Sequence, residues 1–442
     1  AVLGDMLELG NRSAAEHYRI GRIAATKADV LYTYGINAER MVSGAITGGM
    51  KQKLIEHFDT HEELAHMLKM RDRPGGRYFV QGQPRYADGK GPCAVFQGRR
   101  GIKRVSEESC MDAMFFIVLG ATLASFLLTL LFGRFVIPML CALHAGQSIR
   151  EVGPQWHNTK AGTPTMGGIM FIAAIILCTV GFGWKSMTEN RDYTHLYVLA
   201  LALCYGLVGF ADDFVKVKLK RNLGLTAIQK FLLQLVVAVV FLFVLKNSGD
   251  LSCDLYIPFW NLDLEIPTAV YMVFAAFVIV GCVNAVNLTD GVDGLSSSVT
   301  IPVMVFFAAT SYIYGRTTLA LLPATVAGGL AGFLCYNFHP AKVFMGDTGS
   351  LFLGGMVCGM AFALDMPLIL ILVGIIYLCE TLSVILQVTY FKLTHGKRIF
   401  KMTPIHHHFE LCGWKEEKIV FVFTAITLIM CVLAYLGVMN RY

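Results

Sequence analysis

Charge is what this sequence is short of. Asp, Glu, Lys and Arg make up 15% of its 442 residues, while hydrophobic residues make up 55%. A soluble domain carries about 25% charged residues. The deficit excludes a wholly soluble protein, and the mean hydropathy of +0.58 agrees. No C-x-x-C pair occurs among the twelve cysteines. Cys178, Cys204, Cys282, Cys358 and Cys431 sit inside apolar runs, where a thiol acts as a small hydrophobe. Neither a disulfide framework nor a zinc site is expected. No basic stripe with interleaved aromatics is present, which argues against nucleic acid as a partner. The G-x-x-x-x-G-K-[ST] order of a nucleotide-binding loop is missing too. Residues 1–10 carry Asp5 and Glu8 in place of the basic start and apolar core of a signal peptide, so none is expected there.

What is present changes character near Met111. Residues 1–110 are mixed in composition. Residues 1–10 and 28–34 look like strands, and 13–25 and 61–68 look like helices, an α/β pattern at the small end for an independent domain. From 111 to 442 the chain is a series of apolar runs, each near the ~20 residues that span a bilayer as a helix. About ten can be counted by that rule: 113–140, 166–183, 196–211, 228–245, 268–286, 295–314, 319–336, 351–364, 367–391 and 419–439. The expected fold is an all-α polytopic membrane protein with a small α/β segment in front.

The net charge is +6, and the loops distribute it. Lys216, Lys218, Lys220 and Arg221 follow the third run; Lys392, Lys397, Arg398 and Lys401 follow the ninth; Asp250, Asp254, Asp263 and Glu265 follow the fourth. The positive-inside rule then puts the loops after the odd-numbered runs in the cytoplasm. That arrangement leaves residues 1–110 outside, although they lack an export signal. It also puts Arg99, Arg100, Lys103 and Arg104 on the side where cations are disfavoured.

The unusual polar residues fall in the cytoplasmic loops, whereas a transporter would hold them near the midplane. Asp212 and Asp213 close the third run, with Lys216 on the face of Asp212. Two carboxylates at a helix C-terminus oppose the dipole and each other, so a cation would relieve both; a solvated helix end would also account for them. Asn284, Asn287, Asp290 and Asp293, with Gly291 and Gly294, interrupt two apolar runs. Caps explain one or two of these, and a uracil, a ribose or a metal would use the set. Asn337, Phe344 and Asp347 lie in a third cluster, where Gly346, Thr348 and Gly349 resemble an anion cradle at a helix start. Asp347 suits Mg²⁺ bridged to that phosphate, or a simple N-cap. His406, His407 and His408 sit in a basic loop ending at Glu410. Adjacent side chains do not easily converge on one ion, so imidazole donors to phosphate or peptide fit better. Lys160 and Thr165 offer a cation and a hydroxyl in a Gly- and Pro-containing loop. Together the carboxylates, lysines and histidines suit phosphoryl transfer, which needs positioning and charge neutralisation.

Residues 111–442 resemble the MraY family of phospho-MurNAc-pentapeptide translocases. The matching stretches are 160–168, 212–216, 284–295, 337–351 and the Pro-Ile-His-His-His-Phe-Glu segment at 404–410. The resemblance implies ten membrane helices and transfer of phospho-MurNAc-pentapeptide from UDP-MurNAc-pentapeptide to undecaprenyl phosphate, giving lipid I and UMP. It implies Mg²⁺ on Asp347, catalytic roles for Asp212, Asp213, Asn337 and His406, and a uridine pocket of Asn287, Asp290, Asp293 and Phe344. Lys216 and Lys230 match phosphate-facing lysines. A homodimer in the bacterial cytoplasmic membrane, with its site facing the cytoplasm, is implied as well. The alternatives are a sibling that transfers GlcNAc-1-phosphate from UDP-GlcNAc, and, more distantly, a transporter or flippase. Residues 1–10 and His17 are similar to the C-terminal domain of the Mur ligase that adds D-Ala-D-Ala. That ligase's ATP-binding domain is missing, so the segment is expected to have no catalytic function.

Overall fold

The computed structural model describes residues 2–4, 13–35, 38–59, 63–64, 67, 80–81, 107–143, 162–189, 192–219, 224–439 and 441. The chain divides into two units, Ala1–Ala113 and Met114–Tyr442.

The first unit is α/β. Strands β1 (Val2–Gly4), β2 (Leu31–Tyr34), β3 (Ile55–Phe58) and β4 (Val80–Gln81) form a parallel sheet in the order β3-β2-β1-β4. Helices α1 (Ser13–Lys27) and α2 (Glu39–Thr47) accompany it. Leu3, Leu31, Met41, Ala45 and Ile55 form its core. The two helices approach at backbone distance: a Cβ on Gly21 would fall 2.0 Å from Met41 O, and one on Gly44 2.0 Å from Tyr18 O. The expected strand at 1–10 is reduced to β1, with the rest outside the described residues. So is the expected helix at 61–68, apart from residues 63, 64 and 67.

The second unit is helical. Its long helices are α3 (Glu107–Ala142, beginning before the boundary), α4 (Gly168–Glu189), α5 (Thr194–Leu219), α6 (Ala227–Ser248), α7 (Thr268–Thr289), α8 (Leu295–Ile313), α9 (Thr317–Asn337) and α10 (Gly346–Ala363). After the short α11 (Leu370–Val373) come α12 (Ile375–Leu393), the short α13 (Ile405–Leu411) and α14 (Glu416–Val438). Nine of these, among the described residues, are long and apolar enough to cross a membrane. The protein is therefore a multi-pass membrane protein.

The eighth run is a helix, α10, as expected; Asp347 and its glycines dilute its hydropathy and keep it out of those nine. Every residue from Thr348 to Ala363 is buried, so this helix meets other helices instead of lipid. The ninth run is not one helix. It breaks into a turn at Pro367–Ile369, then α11, then α12 beyond Gly374. A Cβ there would lie 2.5 Å from Leu370 O. The acidic loop after α6 also folds, into an antiparallel hairpin of β5 (Asp254–Ile257) and β6 (Leu262–Glu265).

Close backbone packing through small residues is how helices associate in lipid, and α10 uses it on several sides. A Cβ on Gly355 would lie 2.8 Å from Ala202 Cα on α5, and one on Gly354 2.6 Å from Val283 Cα on α7. At the start of α10, a Cβ on Gly209 would fall 2.1 Å from Asp347 O. The absence of that one carbon lets α5 and α10 bring their carboxylates together.

Candidate active site

Asp212 and Asp213 are consecutive in the last turns of α5, and both are buried. Asp213 caps α10: Oδ2 accepts from Thr348 N (2.9 Å) and Thr348 Oγ1 (2.8 Å), and Oδ1 from Asp347 N (3.2 Å). A carboxylate satisfies the unpaired N–H groups and the positive end of a helix. Gly346 opens that helix with φ +70°, and a Cβ there would meet Asp213 Oδ2 at 2.6 Å and Thr165 Oγ1 at 2.8 Å. Asp212 Oδ1 accepts from Leu225 N (2.8 Å).

Asp347 sits across from this pair. Its Oδ2 receives Lys216 Nζ (3.0 Å) and Lys230 Nζ (2.9 Å), and its Oδ1 accepts from Asn287 Nδ2 (2.9 Å). Lys216 also reaches Asp212 Oδ2 at 2.5 Å and Asp213 Oδ1 at 3.9 Å. Asn287 makes a second bond, to Ser350 Oγ (2.8 Å). Oxygens of Asp212, Asp213 and Asp347 all lie within 4.8 Å of one another. Three carboxylates face two ammonium groups, so the cluster keeps negative charge in excess.

Some of the other predicted residues lie on the segments around this centre. The backbone of Phe344 is tied to both sides of Thr165: Phe344 N donates to Pro164 O (2.9 Å) and Gly167 N to Phe344 O (2.8 Å). Asn337 is buried at the end of α9, where Nδ2 donates to Val343 O (2.9 Å) and holds the Phe344 segment. Asp293 Oδ2 accepts from Ala341 N and lies by His339 Nδ1, both at 3.0 Å. Asp290 ends α7 half-buried. Burial, with the charges of Asp347, Asp213 and Asp293, pushes its carboxyl well above the usual range.

The histidines are carried by α13. His406 is buried, with Nδ1 3.0 Å from Glu380 Oε2 on α12. Its Nε2 faces the Asn/Asp loop, where a Cβ on Gly291 would lie 2.3 Å from it. His407 Nδ1 lies 2.6 Å from Glu410 Oε2. His408 turns away: Lys401 N donates to its Nδ1 (3.2 Å), and Phe400 packs on its ring. Asn284 is engaged elsewhere, with Nδ2 donating to Gln234 Oε1 (2.7 Å) and Val280 O (2.8 Å). Lys160 lies outside the described residues.

Residues 195–365 match glycosyl transferase family 4, and residues 160–172 match signature 1 of the phospho-N-acetylmuramoyl-pentapeptide-transferases. A phospho-N-acetylmuramoyl-pentapeptide-transferase of Caldanaerobacter subterraneus subsp. tengcongensis is 49% identical over 314 residues, 71% of this chain and 96% of the relative. The chain belongs to the phospho-N-acetylmuramoyl-pentapeptide-transferase family. Proteins of that name from Clostridium acetobutylicum (46% over 322 residues, 73% of this chain and 99% of the relative) and Carboxydothermus hydrogenoformans (48% over 323 residues, 72% and 97%) are similar to it as well.

In this member of the transferase family, Thr348 of the expected cradle binds Asp213, and Ser350 binds Asn287. The structure also adds groups that the motifs did not include. Glu416 Oε2 accepts from Asp293 N (3.3 Å). Glu380 and Gln387 lie inside an apolar run, where the only available signal was a charge and an amide in otherwise hydrophobic sequence.

Proposed function

We infer that the chain transfers phospho-N-acetylmuramoyl-pentapeptide from its UDP-linked donor to undecaprenyl phosphate, giving lipid I and UMP. The observation that carries this reading is the convergence of Asp212, Asp213 and Asp347 with Lys216 and Lys230 in a chain of this family. An oxygen of the carrier phosphate attacks the sugar-proximal phosphorus in line. A new P–O bond forms there as the bond to the UMP oxygen breaks, and the electron pair leaves with UMP. A phosphomonoester has a second pKa of about 6, so the attacking oxygen needs little help from a base. Asp212 orients it, and Lys216 and Lys230 turn from Asp347 to the phosphate oxygens. Asn287 keeps Asp347 aimed, and Asp213 holds α10 in place. Asp290, with its raised pKa, and Asp293 face the uridine.

The donor set fits magnesium. It consists of hard carboxylate oxygens, close together and negative in sum, and such a site is usually completed by substrate phosphates. Asp347, with Asp212 beside it, would hold the ion, which when bound supplies charge neutralisation to the diphosphate. The same reading puts the site at the cytoplasmic face of the bacterial inner membrane, supported by the basic loops after α5 and α12. It also pairs the chain as a homodimer, on family resemblance alone. Residues 1–110 take no part in the reaction.

The test is UMP release by the purified chain in detergent. Undecaprenyl phosphate and Mg²⁺ are supplied with either UDP-MurNAc-pentapeptide or UDP-GlcNAc, and EDTA is the control. Metal-dependent UMP from the pentapeptide donor alone is expected. UMP from UDP-GlcNAc alone would move the chain to the sibling activity.

A further inference from the structure

The membrane spans hold few carboxylates. Apart from Asp212, Asp213 and the helix-end residues Glu416 and Glu417, Glu380 is the only acidic residue in the candidate spans among the described residues. An ionisable group inside a span is costly and marks a function or a firm partner. Glu380 is fully buried on α12, and the reaction as described leaves it unused.

Its partner is His406. Besides the 3.0 Å approach of Nδ1, the His406 backbone N–H donates to the same Glu380 oxygen at 3.4 Å. The two side chains are near but off the line of a hydrogen bond. Glu380 Oε1 and both ring nitrogens of His406 have no hydrogen-bond partner. Buried polar atoms are nearly always satisfied, and hydrogen bonds of a ligand-free catalytic site often tighten only on binding.

The same face of α12 also fastens the segment that delivers the histidine. Glu380, Ser383 and Gln387 are three and four residues apart, so they share a face, and all are buried. Ser383 Oγ donates to Glu380 O (2.7 Å). Gln387 Oε1 accepts from Ile399 N and Phe400 N, both at 3.0 Å. Gln387 thus holds the returning chain, and Glu380 receives the ring at the start of α13.

We propose that Glu380 is a positioning residue for His406: its carboxylate takes the Nδ1–H and fixes the imidazole with Nε2 turned to the Asp290–Asp293 loop. A carboxylate on one ring nitrogen sets which nitrogen is free at the other edge. The proposal rests on the transferase reading, with His406 as a working group of the site.

The test is a double-mutant cycle on UMP release by the full chain, with thermal midpoints measured in parallel. Glu380→Ala should lower kcat roughly 10²-fold, with the donor KM little changed. The double variant Glu380→Ala/His406→Ala should be no worse than His406→Ala, because Glu380 acts only through that ring. Glu380→Gln keeps the shape and an acceptor oxygen, so it should recover part of the loss, and it serves in the cycle if the alanine variant fails to fold. Equal fold losses in both backgrounds, or an unchanged kcat in Glu380→Ala, would overturn the proposal. If the wild-type chain releases no UMP, the transferase reading falls, and carbethoxylation followed by mass spectrometry decides the positioning separately. Glu380→Ala should then speed modification of His406 and leave His408 unchanged; an unaltered His406 rate overturns it.

Discussion

The two ends of α10 hold charge in opposite ways. At its N-terminus, three carboxylates share two lysines, and Lys216 alone touches all three. At its C-terminus, the two arginines share no aspartate: Arg316 pairs with Asp250, and Arg441 with Asp365 and, at 4.0 Å, Asp263. Arg316 binds Asp250 Oδ1 (2.7 Å), Thr194 Oγ1 (3.2 Å) and Ala363 O (2.5 Å). Arg441 binds Asp365 O (2.5 Å), approaches Asp365 Oδ2 at 3.5 Å and stacks on Tyr256. Guanidinium is planar, permanently charged and suited to several fixed hydrogen bonds, and a cation at a helix C-terminus meets its dipole. Lysine is a point charge on a flexible stem. One end is therefore built to stay fastened. The other is left short of positive charge and can exchange its lysines onto a phosphate.

The largest test of that contrast is Asp347→Asn. It should lower kcat by about 10³-fold or more at saturating Mg²⁺, with little change in the thermal midpoint. An unchanged kcat would break the assignment of the N-terminal end as the reacting one. Gly209→Ala comes next, because its Cβ would press on Asp347 O. Separating α5 from α10 should cost roughly 10²-fold in kcat and about 1–3 kcal/mol in stability, read by turnover and thermal unfolding of one preparation. Arg316→Met should show the reverse pattern: about 1–3 kcal/mol of lost stability from the unpaired Asp250, with kcat within about twofold of wild type in the fraction that stays folded. A large drop in turnover would mean the fastened end also serves the reaction. The smallest effect is expected from deleting the residues before Met111, which should leave UMP release intact. A large loss would give the first unit a role.

Much of this was legible along the chain. The spans were visible because each must be nearly all apolar to sit in lipid, and the motifs stood out because polar residues are rare there. Two features escaped. The burial of α10 was hidden, since a helix wrapped by other helices and one facing lipid have similar composition. Glu380 and Gln387 were hidden inside an apolar run whose break at Gly374 was also missed. The segment that Gln387 clamps lies only about a dozen residues away, but nothing local says that the chain turns back there.

The sequence by itself determined the membrane class, the polar clusters and the family, because lipid admits few side chains and a cluster of exceptions is conspicuous. Only the tertiary structure decided which clusters meet. Lys216 and Asp347 are 131 residues apart and Asn287 and Asp347 are 60 apart. The glycines that bring their helices into contact act by the carbon they lack, which no pattern of charge or hydropathy along the chain records.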